Sequence, residues 1–210
     1  MCSRQISARI AGGNLSATAL AEANSLNLGA TMHAWHDIPV DVANLEDEFP
    51  AVIEVPQGSK NKYELDKLTG MLRLDRVLYS AVHYPADYGF VPRTLCDDGD
   101  ALDVLVLGQQ PVYPLTIVPA RAIGVMRMRD EKGGDDKLIA VSIHDPAFCD
   151  YRHFDELPQH RVREIKRFFQ DYKSLEGKEV VIDDVLGPDR ANEILIDSLE
   201  LYSQKHPGQA

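Results

Sequence analysis

No stretch of the chain approaches the run of about 18 apolar residues that a bilayer-spanning helix requires, which argues against a membrane protein. Cysteine is scarce. Cys2, Cys96 and Cys149 are odd in number, widely spaced and without metal-ligand spacing. That pattern excludes a disulfide scaffold and predicts reduced thiols in a cytoplasmic compartment. Positive charge is also in deficit, with 22 Lys and Arg against 33 Asp and Glu and a formal net charge of −11. No basic stripe is present, so nucleic-acid backbones and anionic membranes are poor partners. Internal repeats, low-complexity segments and the Gly-rich loops that cradle nucleotide phosphates are missing too. An acidic protein of this kind can still hold a phosphate compound, provided metal ions and a few aimed Lys or Arg invert the local field.

What is present centres on residues 96–107. Asp97, Asp98, Asp100 and Asp103 fall within seven residues and run directly into Val104-Leu105-Val106-Leu107. Carboxylates so close repel one another unless a cation neutralises them, and an all-oxygen site suits a hard cation such as Mg²⁺. Asp98 and Asp100 are two apart and can face one space, Gly99 lets the backbone bend, and Asp103 sits at the strand mouth. Asp97 reads as a solvated neighbour. An EF-hand fails: with Asp98 as its first position, Asp103 falls where glycine is required and Gln109 falls at the twelfth position. A second acidic turn holds Asp130, Asp135, Asp136 and Lys137. Taken alone it resembles an exposed hairpin tip.

The remaining chain punctuates as short strands followed by helices. Residues 51–55 are closed by Pro56, and 62–66 and 71–74 alternate on either side of Gly70, as in a hairpin. Residues 84–92 form an aromatic segment broken by prolines, and Pro111, Pro114 and Pro119 mark a connection. Strands are predicted at 103–107, 121–129, 137–143 and 179–182. Apolar positions at spacings of three and four predict a helix within 158–173, and Pro188 opens a second. This order predicts an α+β, β-dominated fold: a small closed, OB-like β-barrel flanked by two C-terminal helices. Residues 33–206 read as one domain. Residues 1–32 read as a disordered extension, or as sequence upstream of a start near Met32. Their Ser/Ala/Asn content with Arg4 and Arg9 faintly suggests an organellar transit peptide, but arginine is sparse for one.

Several motifs then line up in order: Val-Ile-Glu-Val-Pro at 52–56, Lys-Tyr-Glu-Leu-Asp at 62–66, Leu-Asp-Arg at 74–76, and Tyr-Pro-Ala-Asp-Tyr-Gly at 84–89. Asp-Gly-Asp-Ala-Leu-Asp-Val-Leu-Val at 98–106, the turn at 130–137 and Phe-Phe-Gln-Asp-Tyr-Lys at 168–173 complete the series. Together they resemble the soluble, Mg²⁺-dependent inorganic pyrophosphatases of family I, from about Trp35 to Tyr202. The lead-in at 33–37 resembles plant-type members.

The resemblance implies roles residue by residue. Asp98, Asp103 and Asp135 match ligands of two activating metal ions. Asp130 matches a ligand for metal arriving with pyrophosphate, shared with Asp135. Glu54 and Glu64 match acids of the substrate-side metal and water network, and Asp100 matches the general base. Lys62, Arg76, Lys137, Tyr172 and Lys173 match groups that hold phosphate oxygens, and Tyr84 and Tyr88 match the site tyrosines, with Tyr88 nearer the activated water. The implied reaction is direct attack of a metal-activated water on pyrophosphate, giving two orthophosphates, with several Mg²⁺ per site. The implied assembly is a homo-oligomer, a hexamer if bacterial in type. One departure is Ala101, where the family pattern has Pro or Glu; alanine there is expected to loosen the turn by roughly 1 kcal/mol of preorganisation. A nucleoside-phosphate hydrolase and a non-catalytic binding barrel are the competing readings. The first lacks a base pocket, and the second should have lost charged site residues that are all present.

Overall fold

The structure is a computed structural model, and it describes residues 32–130 and 133–208. Strands β1 (Phe49–Val55), β4 (Asp87–Phe90), β5 (Asp103–Leu107), β8 (Lys137–Ser142) and β6 (Ile117–Asp130) pair in that order. β6 then pairs back onto β1, so these five strands form a ring of ladders. All the ring contacts are antiparallel except β5 with β8. The short β7 (Gly133–Gly134) and β9 (Val181–Leu186) add to the far end of β6. A separate two-stranded sheet is the hairpin of β2 (Asn61–Leu65) and β3 (Leu72–Val77).

The ring strands are buried on both faces, as near-continuous Val/Leu/Ile runs require. Val104 and Val106 face one apolar cluster, with Ala51, Ile53 and Leu138; Leu105 and Leu107 face another, with Ile139 and Val141. The two helices cover one cluster each. Helix α1 (Gln159–Asp171) places Ile165, Phe168 and Phe169 in the second, and α2 (Pro188–Lys205) places Ala191, Leu195 and Leu199 in the first. Pro188 occupies the opening turn of α2, where its missing N–H costs nothing. Among the described residues, no helix is long and apolar enough to cross a membrane.

The sheet-dominated order with two C-terminal helices holds, and several element bounds shift. Pro119 lies inside β6 opposite Pro50, not in the connection before it. The aromatic, proline-broken segment contains β4, hidden because all four of its residues are buried and show no alternation. The late strand is displaced to Val181–Leu186. Residues 1–31 lie outside the described residues, as does the reading made of them.

Gly89 shows why β4 is so spare. A Cβ there would sit 1.8 Å from the Val52 carbonyl oxygen and 2.8 Å from the Ile53 Cα. Gly89→Ala must therefore part β1 from β4, and it should lower stability by about 3 kcal/mol or more. A thermal melt of that variant coinciding with the parent's would contradict the close approach.

Candidate active site

A cleft of about 410 Å³ opens between the end of the strand ring, the β2–β3 hairpin and the C-terminal end of α1. Its inner wall is set by the parallel pairing of β5 and β8, which puts Asp103 and Lys137 in register at the strand starts. The Lys137 ammonium ion-pairs with Asp103 and with Asp135, and the Lys137 side chain is only 3% exposed. Burial pulls its pKa down, but the two carboxylates outweigh burial and hold it firmly charged. Tyr88 on β4 donates its phenol to Asp103. Burial, then the Asp103 charge, raises the Tyr88 pKa well above its ordinary value.

The signature loop before β5 is held by its own backbone. Gly99 N–H donates to Cys96 O (3.0 Å), Cys96 N–H to Asp100 O (2.8 Å) and Asp100 N–H to the Asp98 carboxylate (3.0 Å). Gly99 takes φ +84°, a conformation glycine adopts without strain. Asp98 and Asp100 both line the cleft, as their spacing predicts. Ala101 also lines it and packs with Trp35 and Phe90. The backbone on both sides of Ala101 is pinned, since Leu102 N–H donates to Thr94 Oγ1 at 2.8 Å. The loosening expected from alanine is therefore opposed by these bonds.

Glu54 reaches the cleft from the face of β1 that also carries Val52, which packs with the cleft-lining Trp35 and Phe90, while the bulge between Ile53 and Val55 turns Val55 into the second apolar cluster. It accepts from Leu65 N–H at 2.6 Å. Burial raises its pKa to about 8, against the lowering effect of that hydrogen bond, and the Asp103 charge adds to the rise. On the hairpin, Lys62 lies across from Arg76. Lys62 pairs with Glu64, and lies 3.6 Å from Asp75. Tyr172, which caps α1, and Lys173 complete the wall, with the Lys173 ammonium 5.2 Å over the Tyr172 ring.

The cleft thus brings together Glu54, Lys62, Glu64, Arg76, Tyr88, Asp98, Asp100, Asp103, Asp135, Lys137, Tyr172 and Lys173. Tyr84 is placed otherwise. It is 2% exposed, lies behind Tyr88 with ring centroids 5.3 Å apart, and does not line the cleft. The Asp130 side chain lies outside the described residues. Asp136 pairs with Arg127 at 3.4 Å and is not part of the wall.

Sequence reasoning missed Asp75, Lys67, Lys178 and the wall position of Trp35. Asp75 is hidden by a second bulge, between Lys62 and Tyr63, which defeats the alternation rule. Lys67, at the hairpin turn, ion-pairs with Asp100 and donates to Gly99 O at 2.8 Å. Its only signal was opposite charge to the Asp-rich loop.

An oxygen-only donor set in one cleft fits a hard divalent cation. The Lys137 ammonium lies where Asp103 and Asp135 converge, the place such a cation would compete for. Among the described residues, no three acidic, histidine or cysteine side chains already form a metal cage. Thiol chemistry is disfavoured here, because burial pushes Cys96 up to about 12 and keeps it protonated.

The family profile for inorganic pyrophosphatase matches residues 51–203. Soluble inorganic pyrophosphatase 2 of Chlamydomonas reinhardtii is 52% identical over 180 residues, which is 85% of this chain and 92% of that protein. Soluble inorganic pyrophosphatase 1 of Arabidopsis thaliana is 50% identical over 172 residues, 82% of this chain and 81% of its own. The crystal structure of inorganic pyrophosphatase from Thermus thermophilus superposes with a TM-score of 0.77 at 40% identity, covering 81% of this chain and 99% of that one.

Glu54 also makes a pH prediction. Its pKa is raised in the folded chain, from 4.5 to about 8, so the folded state keeps a proton that the unfolded state has released. Its contribution to stability is therefore present below pH 4.5 and is lost as pH rises through about 8. Urea melts in chelator should show a fall of at most about 1.4 kcal/mol per pH unit across that window. Glu54→Gln should flatten it, and an unchanged slope in that variant would assign the effect elsewhere.

Proposed function

This chain belongs to the inorganic pyrophosphatase family and is an inorganic diphosphatase; we propose that it works by direct attack of water on pyrophosphate, with Asp100 as the general base. The observation that carries the proposal is the sharing of one small cleft by carboxylates on the ring and cations on the hairpin and α1. The cofactor is Mg²⁺, held by Asp98, Asp103 and Asp135, with Asp130, Glu54 and Glu64 on the substrate side. When bound, such ions neutralise the anionic substrate and lower the pKa of the attacking water.

The chain's own groups divide the remaining tasks. Lys62, Arg76, Lys137, Tyr172 and Lys173 hold phosphate oxygens and stabilise charge as it develops. The Tyr88 phenol donates to Asp103 and fixes that carboxylate, with Tyr88 nearer the attacking water. Asp100 takes the proton from that water, its oxygen bonds to phosphorus, and the bridging P–O bond breaks to release the second orthophosphate. No covalent enzyme intermediate is needed.

We read the ring of five strands as a small closed barrel of OB type, and residues 33–206 as the single domain that carries the activity. The assembly is a homo-oligomer, a hexamer if it follows the bacterial type, and the compartment is the cytoplasm. Size-exclusion chromatography tests the assembly directly.

Purified protein should release phosphate from pyrophosphate only with Mg²⁺, should be inhibited by Ca²⁺, and should act far more slowly on ATP. Asp100→Asn should lower turnover at least about 100-fold while Mg²⁺ binding by calorimetry persists. Full turnover in that variant would remove Asp100 as the base, and faster release from ATP would displace pyrophosphate as the substrate.

A further inference from the structure

Arg76 and Glu176 form a pair that no motif in the sequence announced. Glu176 ends a short 3₁₀ turn, Ser174–Glu176, that follows directly on Tyr172 and Lys173. Gly177 closes this turn at φ +71°, where its N–H bonds to Ser174 O. The turn carries Glu176 back across the cleft wall to the hairpin, where its carboxylate accepts from Arg76 Nε at 2.7 Å. The Glu176 side chain is only 11% exposed, so this ion pair is shielded from water. Asp75 takes Arg76 NH1. Arg76 NH2 is left buried, with no hydrogen-bond partner.

A buried guanidinium nitrogen without an acceptor is costly, and native proteins rarely leave one unused. A fork held at two of its nitrogens, with the third unspent, is preorganised for one more anionic oxygen. Arg76 lines the cleft beside Lys62, so a guanidinium held in this way borders the space a bound anion would fill.

We propose that Glu176 is a positioning residue for pyrophosphate: it holds the Arg76 guanidinium in place on the cleft wall for a phosphate oxygen. The inference rests on the pyrophosphatase reading above and extends it to a residue that does not itself line the cleft. It also ties two walls together, because the turn bearing Glu176 starts at the phosphate-holding pair Tyr172 and Lys173. Moving that turn moves Arg76.

The test uses the full chain with saturating Mg²⁺. Glu176→Ala should raise KM for pyrophosphate about tenfold while kcat falls less than threefold. Glu176→Gln, which keeps an acceptor oxygen at Nε, should stay within threefold of the parent in KM. In an Arg76→Ala background, Glu176→Ala should add nothing further to KM, since its effect passes through that side chain. Calorimetry with the non-hydrolysable analogue imidodiphosphate should show the same weakening, independent of turnover. A parental KM in Glu176→Ala would overturn the proposal. So would losses that add fully to those of Arg76→Ala, or equal falls in kcat and kcat/KM with unchanged analogue binding. A parent protein that binds imidodiphosphate but fails to hydrolyse pyrophosphate would sink the catalytic reading instead, and leaves the Arg76–Glu176 coupling readable by calorimetry.

Discussion

The Lys137 ammonium, buried between Asp103 and Asp135, is the constraint on which the site depends. A buried ammonium is tolerable only with its carboxylates beside it, because breaking the set strands an uncompensated ion. The parallel junction of β5 and β8 is what makes the set possible. It starts both strands at the same level, so an acid and a lysine distant in sequence become neighbours. Antiparallel pairing elsewhere in the ring then brings Tyr88 onto Asp103 from the other side. Among the described residues, the parallel contact of β5 with β8 lies at the inner wall of the cleft.

How much of this was legible in the sequence follows from the physics of each element. Strong local signals survived: Gly99 and Gly70 at positive φ, Pro188 at a helix start, and the Asp-rich loop opening directly onto β5. The spacing of Asp98 and Asp100 placed both in the cleft. What failed did so at irregularities of the ladders. A bulge in the hairpin brought in Asp75, and no periodicity rule anticipates a bulge. Glu54 was assigned to the site through the family resemblance, not through its position on a strand. Tyr84 shows the converse limit, since an aromatic near a proline turn gives no sign of whether it faces the cleft or the layer behind it.

Electrostatics explains how a chain with a net charge of −11 can receive a multiply charged anion. The cations are few, but they are aimed. Lys62 and Arg76 face each other across the hairpin, and Lys137, Lys173 and Lys178 line the same small space. Acids among them set the field to near balance, so bound cations can tip it toward attraction. Surface charge elsewhere makes exposed pairs such as Arg129 with Asp183, which contribute little beyond solubility.

The hairpin is a sheet of its own, attached to the ring by a few side-chain and backbone links such as Glu54 with the Leu65 N–H. Lys62 and Arg76 ride on that attachment, whereas Asp103 and Lys137 open strands of the ring and Tyr172 and Lys173 follow α1. The enzyme is in that sense built in two pieces, a gripping jaw and a fixed anvil. The two are tied together, because Lys67 at the hairpin turn ion-pairs with Asp100 and donates to Gly99 O, and Leu65 N–H donates to Glu54. A change in the jaw is therefore felt at the anvil, and grip and chemistry must be adjusted together in one small protein.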